Sequence, residues 1–418
     1  MSGEDPVRAQ YEAYPYPARD PADEARRLVV GSPSNLDELD HYLFRGARDF
    51  SKPFRALFAG GGSGDGAVML AQQLAERGQP AELFHLDLSE KTQAIAQARA
   101  QARSLTNIAF RQGSLLALSQ LDLGRFDYID CCGVLHHLED PLAGLKALVD
   151  ALSEGGGLGL MLYAPYGRRG VYETQALLRQ LSGDRPLAAR LDLTRRLLAQ
   201  LPATHWLKRN PFLADLKGGD AALVDLLLHP IDRAFTVPQV LELLDHAGLR
   251  AAAFIEPLRY QPASYLSDAR LRRAADALPE AERWTAAERL AGNMKTHIFY
   301  ALPKAAPPSV ANLDLPDQAV RRVVPRPWQL DGAALAKSLG SERHLKVERS
   351  GLSLSLPLPR HAQAMLALLD GARDLEAIHA ALAANDRRLA WADFASEFAE
   401  LYRALGGINR LFLRLPTS

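Results

Sequence analysis

The sequence predicts an α/β fold built on a doubly wound, seven-stranded sheet, and three observations predict it. An apolar run at 55–59 stops in a cluster of five glycines between Gly60 and Gly66, and a helical pattern follows. From residue 55 to about 164, short apolar runs alternate with helical ones. Two more strand-like runs, at 249–256 and 296–302, return after a long Leu- and Arg-rich helical stretch. Such alternation gives a mainly parallel sheet with helices on both faces, and ligands then gather beyond the carboxyl ends of the strands.

Each element has its own signal. Strand 55–59 runs into Gly60-Gly61-Gly62-Ser63-Gly64-Asp65-Gly66, and the helix behind it is stopped by Gly78. Glycine allows a sharp turn and a close backbone approach, and the following helix offers its free N–H groups to a ligand. Strand 83–87 ends on Asp87, twenty-three positions after Gly64. That spacing is close to the ~20 expected of a carboxylate that grips ribose hydroxyls. Ser89 reads as the N-cap of a helix over 90–105. Strand 108–112 ends in Gly113-Ser114, and strand 126–132 ends before Gly133. Asp140-Pro141 opens the next helix, and strand 158–163 follows Gly155-Gly156-Gly157. Residues 165–245 form a helical insertion, a natural roof for an acceptor pocket. A helical stretch over 268–291 is expected to break near Pro279.

The glycine spacing narrows the ligand. A dinucleotide fingerprint places its third glycine where this chain has Asp65, so the pattern is G-x-G-x-G at Gly60, Gly62 and Gly64. No Lys-Ser/Thr pair follows, which excludes a phosphate-binding P-loop. A ligand with a ribose, no phosphate and a positive centre suits an acid-bearing loop, and S-adenosylmethionine is such a ligand.

Composition sets the outer limits. Lys+Arg and Asp+Glu both number 49, so a general polyanion binder is disfavoured. No apolar stretch approaches the ~20 residues of a membrane span, and Met-Ser-Gly-Glu-Asp has no basic start. A cytoplasmic location without membrane partners is the expectation. Cys131 and Cys132 read as buried thiols of a reducing compartment, and a zinc site would need more ligands. No metal is expected.

Both ends carry further units. In Gln10-Tyr11-Glu12-Ala13-Tyr14-Pro15-Tyr16-Pro17, the prolines disfavour a helix and favour an extended path. The segment is either packed on the surface or a lid over the nucleoside, with Tyr11 a cofactor contact in the second case. After a linker at Ala305-Ala306-Pro307-Pro308-Ser309, Leu352, Leu354, Leu356 and Leu358 alternate as in a half-buried strand. Two short helices, a strong apolar stripe from Trp391 to Leu405 and a closing strand at 408–415 follow. The outline is a small α+β winged-helix-like module. The expected divisions are a lead-in at 1–50, a cofactor-binding core at 51–164, the insertion at 165–245, completion of the sheet at 246–303, a linker at 304–330 and the C-terminal module at 331–418. A chain ending at Lys304 is expected to stay folded.

The stretch Phe126-Asp127-Tyr128-Ile129-Asp130-Cys131-Cys132-Gly133-Val134-Leu135-His136-His137-Leu138-Glu139-Asp140-Pro141, with the glycine loop and Asp87, resembles class I S-adenosylmethionine-dependent methyltransferases. These have a Rossmann-like sheet. The Tyr-Pro-Tyr-Pro opening is similar to a bacterial subgroup related to tetratricopeptide-linked methyltransferases, although no such repeat is visible. The resemblance implies that Gly60, Gly61, Gly62, Gly64, Asp65, Asp87, Leu88, Gly113, Ser114, Leu115, Cys132 and Gly133 surround the cofactor. It also marks a departure: the family's acid two places before the first glycine is Phe58 here, and Asp65 would partly stand in for it. The motif Leu368-Leu369-Asp370-Gly371-Ala372-Arg373-Asp374-Leu375-Glu376-Ala377-Ile378 resembles, more loosely, the peptide-binding PqqD-like winged helix.

Methyl transfer is an in-line displacement that expels a neutral thioether, so alignment matters more than an acid, and a base is needed only if the acceptor arrives protonated. Tyr163, Tyr166 and His229 are the candidate catalytic residues, and His136-His137 is expected to be structural because a third ligand is missing. The acceptor is a protein or peptide side chain or a small metabolite. Exocyclic amines of nucleic acids are disfavoured, because Cys132-Gly133-Val134-Leu135 stands where an Asp/Asn-Pro-Pro-aromatic motif would be. Two rival readings remain. One is a nucleoside-sensing regulator with a DNA-binding winged helix, opposed by the near balance of 15 Lys/Arg and 12 Asp/Glu over 304–418. The other is a nicotinamide-dependent oxidoreductase, opposed by Asp65.

Overall fold

Seven strands form one mixed sheet in the order β3-β2-β1-β4-β5-β7-β6 in the computed structural model, which describes residues 6–340, 342–349 and 351–416. The strands are β1 (Phe54–Ala59), β2 (Ala81–Asp87), β3 (Ile108–Gln112), β4 (Phe126–Cys132), β5 (Leu152–Tyr163), β6 (Leu249–Phe254) and β7 (Thr296–Pro303). The pairs β1–β2, β2–β3, β1–β4 and β4–β5 are parallel, and β7 runs antiparallel to β5. The central strands read as continuous apolar runs because both faces are covered. Leu57, Phe58, Ile129, Tyr128, Leu158 and Leu160 are all buried. Chain order reverses between β1 and β4, so their carboxyl ends open the ligand crevice.

Several element limits differ from the sequence expectation, each for a local reason. β5 begins at Leu152, not after the triple glycine. Its register against β4 shifts between Phe126 and Tyr128, so Gly155 and Gly156 fall at the irregularity inside the strand. Residues 6–13 are a helix, Pro6–Ala13, and Tyr11 lies on it. A proline constrains itself and the residue before it, so Pro15 ends this helix without preventing it. The helical stretch at 269–291 breaks as expected, into Ala269–Asp276 and Glu280–Ala291.

Two units divide the chain. The first comprises Met1–Asn35, Phe50–Ala251 and Gly292–Lys304; the second comprises Leu36–Asp49, Ala252–Ala291 and Ala305–Ser418. These limits cut across the expected lead-in at 1–50 and the expected segment 246–303. In the second unit, helix Leu36–Leu43 joins the end of the chain. Asn409 Nδ2 donates to Glu38 at 2.9 Å, Leu413 N–H donates to His41 Nδ1 at 3.1 Å, and Arg414 pairs with Asp40 at 2.6 Å.

The expected linker at 304–330 holds structure: helix Asp317–Arg321 and β8 (Val324–Pro327). β8 pairs antiparallel with β11 (Leu411–Arg414). Its Val-Pro-Arg-Pro sequence argues against a strand, yet an edge strand tolerates prolines where no donor is required. β9 (His344–Arg349) and β10 (Leu352–Pro357) form a hairpin. Phe394, Phe398, Leu401 and Leu405 pack with Met365, Leu375 and Ile378 in one core, the role expected of that stripe.

Candidate active site

The glycine loop is shaped by what touches it. Gly60 and Gly61 donate their N–H groups to Leu86 O at 2.8 and 3.1 Å, so the loop bends back over the end of β2. A Cβ at Gly61 would lie 2.5 Å from the His85 ring, which leaves room for hydrogen only. The His85 Nε2–H donates to Gly62 O at 2.9 Å. Asp87 closes the arrangement, accepting Gly62 N–H at 2.8 Å and Ser89 N–H at 2.9 Å. Burial raises the Asp87 carboxyl above its ordinary value, and the Ser89 N–H and neighbouring His85 oppose that rise. Each oxygen keeps a further lone pair for a hydroxyl.

A cavity of about 980 Å3 opens from this loop, walled by Gly60, Gly61, Gly62, Asp65, Asp87 and Leu88. Gly113, Ser114 and Leu115 close the β3 side, and Cys132 and Gly133 the β4 side. Tyr11 and Tyr16 join them from the lead-in. Gly64 does not reach the cavity. It caps helix Asp65–Glu76 with φ +90°, and a Cβ there would lie 2.8 Å from Ala96 Cβ.

Asp65 differs from its expected role. Arg19 grips it with Nε at 2.8 Å and Nη2 at 2.5 Å, and Arg99 Nη1 reaches it at 2.7 Å. Burial works to raise this carboxyl, but the two guanidiniums prevail and hold it below its ordinary range. A carboxylate already shared by two arginines is a poor stand-in for a cofactor acid. Arg99 is fully buried and also binds Ser63 O at 2.7 Å and Glu24 at 2.6 Å, while Arg103 pairs with Glu24 from the exposed side. The lead-in is thus tied to the glycine loop by charge. Glu12 adds a second tie by accepting the Glu90 N–H at 2.6 Å, at the start of helix Glu90–Ala102.

Asp225, on helix Asp220–Leu228 of the insertion, also lines the cavity. Tyr11 donates to its Oδ1 at 3.0 Å and Tyr163 to its Oδ2 at 3.2 Å. Burial pushes the Asp225 carboxyl up to about 6, with the two tyrosine hydroxyls pulling the other way. The Tyr163 ring has two close neighbours: His136 stacks on it at 3.9 Å, and the Arg168 guanidinium sits 3.7 Å from its centroid. Arg168 is held by Asp232 at 2.6 Å.

Tyr166 is outside the cavity wall. It starts the short turn Tyr166–Arg168, and Arg168 is the residue of that turn that reaches the cavity. His229 is also set back, stacked at 3.6 Å on His137, which does face the cavity. Burial lowers His137 to about 4 and His229 to about 3, so both rings are neutral near pH 7.

His137, Asp225 and His229 place one donor atom each within 4.8 Å of one another, a metal-like grouping. A metal-bound histidine ordinarily donates its other ring N–H to a carbonyl or carboxylate. His137 does so, from Nδ1 to Ile231 O at 2.7 Å. His229 does the reverse, accepting Ile231 N–H on Nδ1 at 3.2 Å, which leaves its Nε2 carrying the proton. The group is therefore set up for hydrogen bonding: a carboxylate and one imidazole lone pair accept, and one imidazole N–H donates.

Residues 57–158 match the family described as a methyltransferase domain, over the stretch that carries the glycine loop, Asp87 and β4. The chain carries a methyltransferase domain. S-adenosylmethionine is the cofactor of this domain. An uncharacterized protein of Synechococcus sp. is 33% identical over 267 residues, 61% of this chain and 61% of that protein. A ubiquinone biosynthesis O-methyltransferase of Acinetobacter baumannii is 32% identical over 93 residues, 22% of this chain and 38% of that enzyme. The chain therefore spans less than two thirds of either relative. The solved structure of PKMT2 from Rickettsia typhi in complex with AdoHcy has a TM-score of 0.61 and 14% identity, covering 92% of this chain and 77% of that one. That likeness is one of fold. No helix among the described residues is long and apolar enough to cross a membrane.

Sequence reasoning passed over three residues of this site. Asp225 had a visible signal, a lone acid within Ala222-Leu223-Val224-Asp225-Leu226-Leu227-Leu228, all of it buried. Asp130 had the same signal in the interior of β4. Arg168 had none beyond its place after β5.

Proposed function

We propose that the whole chain is an S-adenosylmethionine-dependent methyltransferase whose acceptor is an amine, carried on a protein or peptide side chain or on a small metabolite. The supporting observation is the buried Asp225 carboxylate in the cavity wall, with the Tyr11 and Tyr163 hydroxyls turned onto it. During transfer the nitrogen lone pair forms the new bond to the methyl carbon as the sulfur–carbon bond breaks. Positive charge thereby moves from sulfur to nitrogen. A fixed carboxylate beside the nitrogen stabilises that shift without reorganising. The same carboxylate repels phenolate and carboxylate acceptors. His137, neutral and with Nε2 able to accept, takes a hydrogen bond from the amine N–H and so aims the nitrogen lone pair at the methyl, and the methylated nitrogen leaves as the ammonium. The lead-in covers the cofactor as a lid, through Tyr11, Tyr16 and Arg19. Neither a DNA-binding regulator nor a nicotinamide enzyme is favoured.

The test is methyl transfer from labelled S-adenosylmethionine to a panel of lysine-containing peptides, small amines and phenols. A host lysate, separated by mass, runs alongside. Amines are expected to take label, and Asp225→Asn is expected to lower kcat by ~100-fold or more while cofactor affinity is kept. Labelled phenols with unlabelled amines would overturn the reading.

A further inference from the structure

The cavity wall holds one buried carboxylate, among the described residues, that the chemistry above does not use. Asp130 lies in β4 and is 7% exposed. It faces the cavity together with Cys132, two positions on, as the alternation of a strand requires. Its partner across the β1–β4 ladder is Phe58, the position where the sequence resemblance led us to expect an acid. Ser34 Oγ donates to Asp130 Oδ2 at 2.6 Å, and the Cys132 thiol and Tyr128 hydroxyl stand 3.5 Å from the same oxygen. Among the described residues, the hydrogen-bond partners are a hydroxyl, a thiol, a phenol and the Cys132 backbone N–H, and none carries a positive charge. Asp65, the acid within the loop sequence, is by contrast held by Arg19 and Arg99. A buried carboxylate without a cation is costly unless something else brings one.

Sheet order says which part of the cofactor arrives there. Asp87 ends β2 and takes the ribose, so the base extends toward β3, where Gly113, Ser114 and Leu115 line the wall. The amino-acid arm must then run the other way, toward β1 and β4. The sulfonium methyl has to face Asp225 at the acceptor end. The arm beyond the sulfur is left to turn down between Phe58, Ser32, Pro33 and Asp130, all of which line the cavity.

We propose that Asp130 binds the α-ammonium of the cofactor's amino-acid arm, the cation-binding acid having moved from β1 to its ladder neighbour on β4. Ser34 aligns the carboxylate and ties the irregular strap at 29–33 to it. The inference rests on the methyltransferase reading.

The test is calorimetric binding of three ligands to the full chain and to Asp130→Asn. S-adenosylmethionine has both the sulfonium and the ammonium, S-adenosylhomocysteine only the ammonium, and methylthioadenosine neither. Loss of a charge-assisted hydrogen bond is expected to weaken the first two by ~10-fold or more and the third by less than ~2-fold. Equal loss for all three would make Asp130 a structural anchor of the strap and overturn the proposal. Loss confined to S-adenosylmethionine would place the carboxylate at the sulfonium and also overturn it, as would no change for any ligand. Ser34→Ala keeps the charge but removes its alignment, and is expected to give a smaller loss than Asp130→Asn, again confined to the two ligands that carry the ammonium; an equal loss for all three ligands would count against the proposal. If the unmodified chain binds none of the three, the methyltransferase reading itself fails, an outcome distinct from all of these.

Discussion

Glu24→Ala tests whether the lead-in is a structural part of the cofactor site. Glu24 is buried and accepts from Arg99 Nε at 2.6 Å and from Arg103. Removing it affects the two arginines unequally. Arg103 keeps 14% side-chain exposure and can be rehydrated in place. Arg99, with 1% side-chain exposure, cannot; among the described residues it retains Asp65 and Ser63 O through Nη1. Breaking a fully buried pair costs ~3–5 kcal/mol, and the surviving Asp65 contact places this case near the lower end, at ~3 kcal/mol. Glu24→Gln keeps the shape and one acceptor and should lose about half as much. The assay is urea unfolding, read by amide hydrogen exchange over helix Glu90–Ala102 and the glycine loop. Because Arg99 also holds Ser63 O, protection in the loop should fall together with protection in the helix. A loss below ~1 kcal/mol would put the cluster in the class of exposed ion pairs and refute the reasoning.

Three further outcomes follow from the same geometry. Asp87→Ala removes acceptors from Gly62 and Ser89 as well as from ribose, so cofactor affinity should fall by ~10-fold or more with the sheet intact; calorimetry with unchanged affinity would exclude the ribose role. His137 has its folded pKa lowered by burial from 6.5 to about 4, so its contribution to stability is present above pH 6.5 and is lost as pH falls toward 4. Against His137→Gln, the wild type should lose ~1.4 kcal/mol more per pH unit across that window, and parallel stability curves would sink the argument. A chain ending at Lys304 should aggregate rather than stay folded. Leu36–Asp49 and Ala252–Ala291 would then lose the rest of their unit. A soluble, cofactor-binding truncation would contradict this.

The strands of the sheet were legible because their signals are local: β3 and β4 lie at the expected residues, and glycines mark the loop that follows β1. The glycine-loop side of the cavity was legible for the same reason, since Asp87 ends β2 and Gly113 follows β3. The side that holds Asp225 was not. Asp225, Tyr11 and Tyr163 meet from a helix in the insertion, a helix in the lead-in and the end of β5, over 214 positions between Tyr11 and Asp225. No spacing rule links them, and Asp225 is recognisable only as an acid where the helix period calls for an apolar residue. Glu24 and Arg99 look like ordinary surface charges until the helices that bury them are placed. β8 was hidden by its prolines, whose usual meaning is correct for central strands only.

Helix Leu36–Leu43 has a bearing on how the chain is made. Glu38 meets Asn409 at a separation of 371 positions. At typical rates of synthesis that interval is on the order of tens of seconds, during which the helix exists without its partners. Glu38, Asp40 and His41 are all buried in the finished protein, and their charged or polar groups leave water only when those partners arrive. The sheet of the first unit, whose last strand β7 ends at Pro303, can close earlier. An early helix therefore waits for a partner made last: Leu36–Leu43 reaches its buried setting only once residues 409–414 have been synthesised.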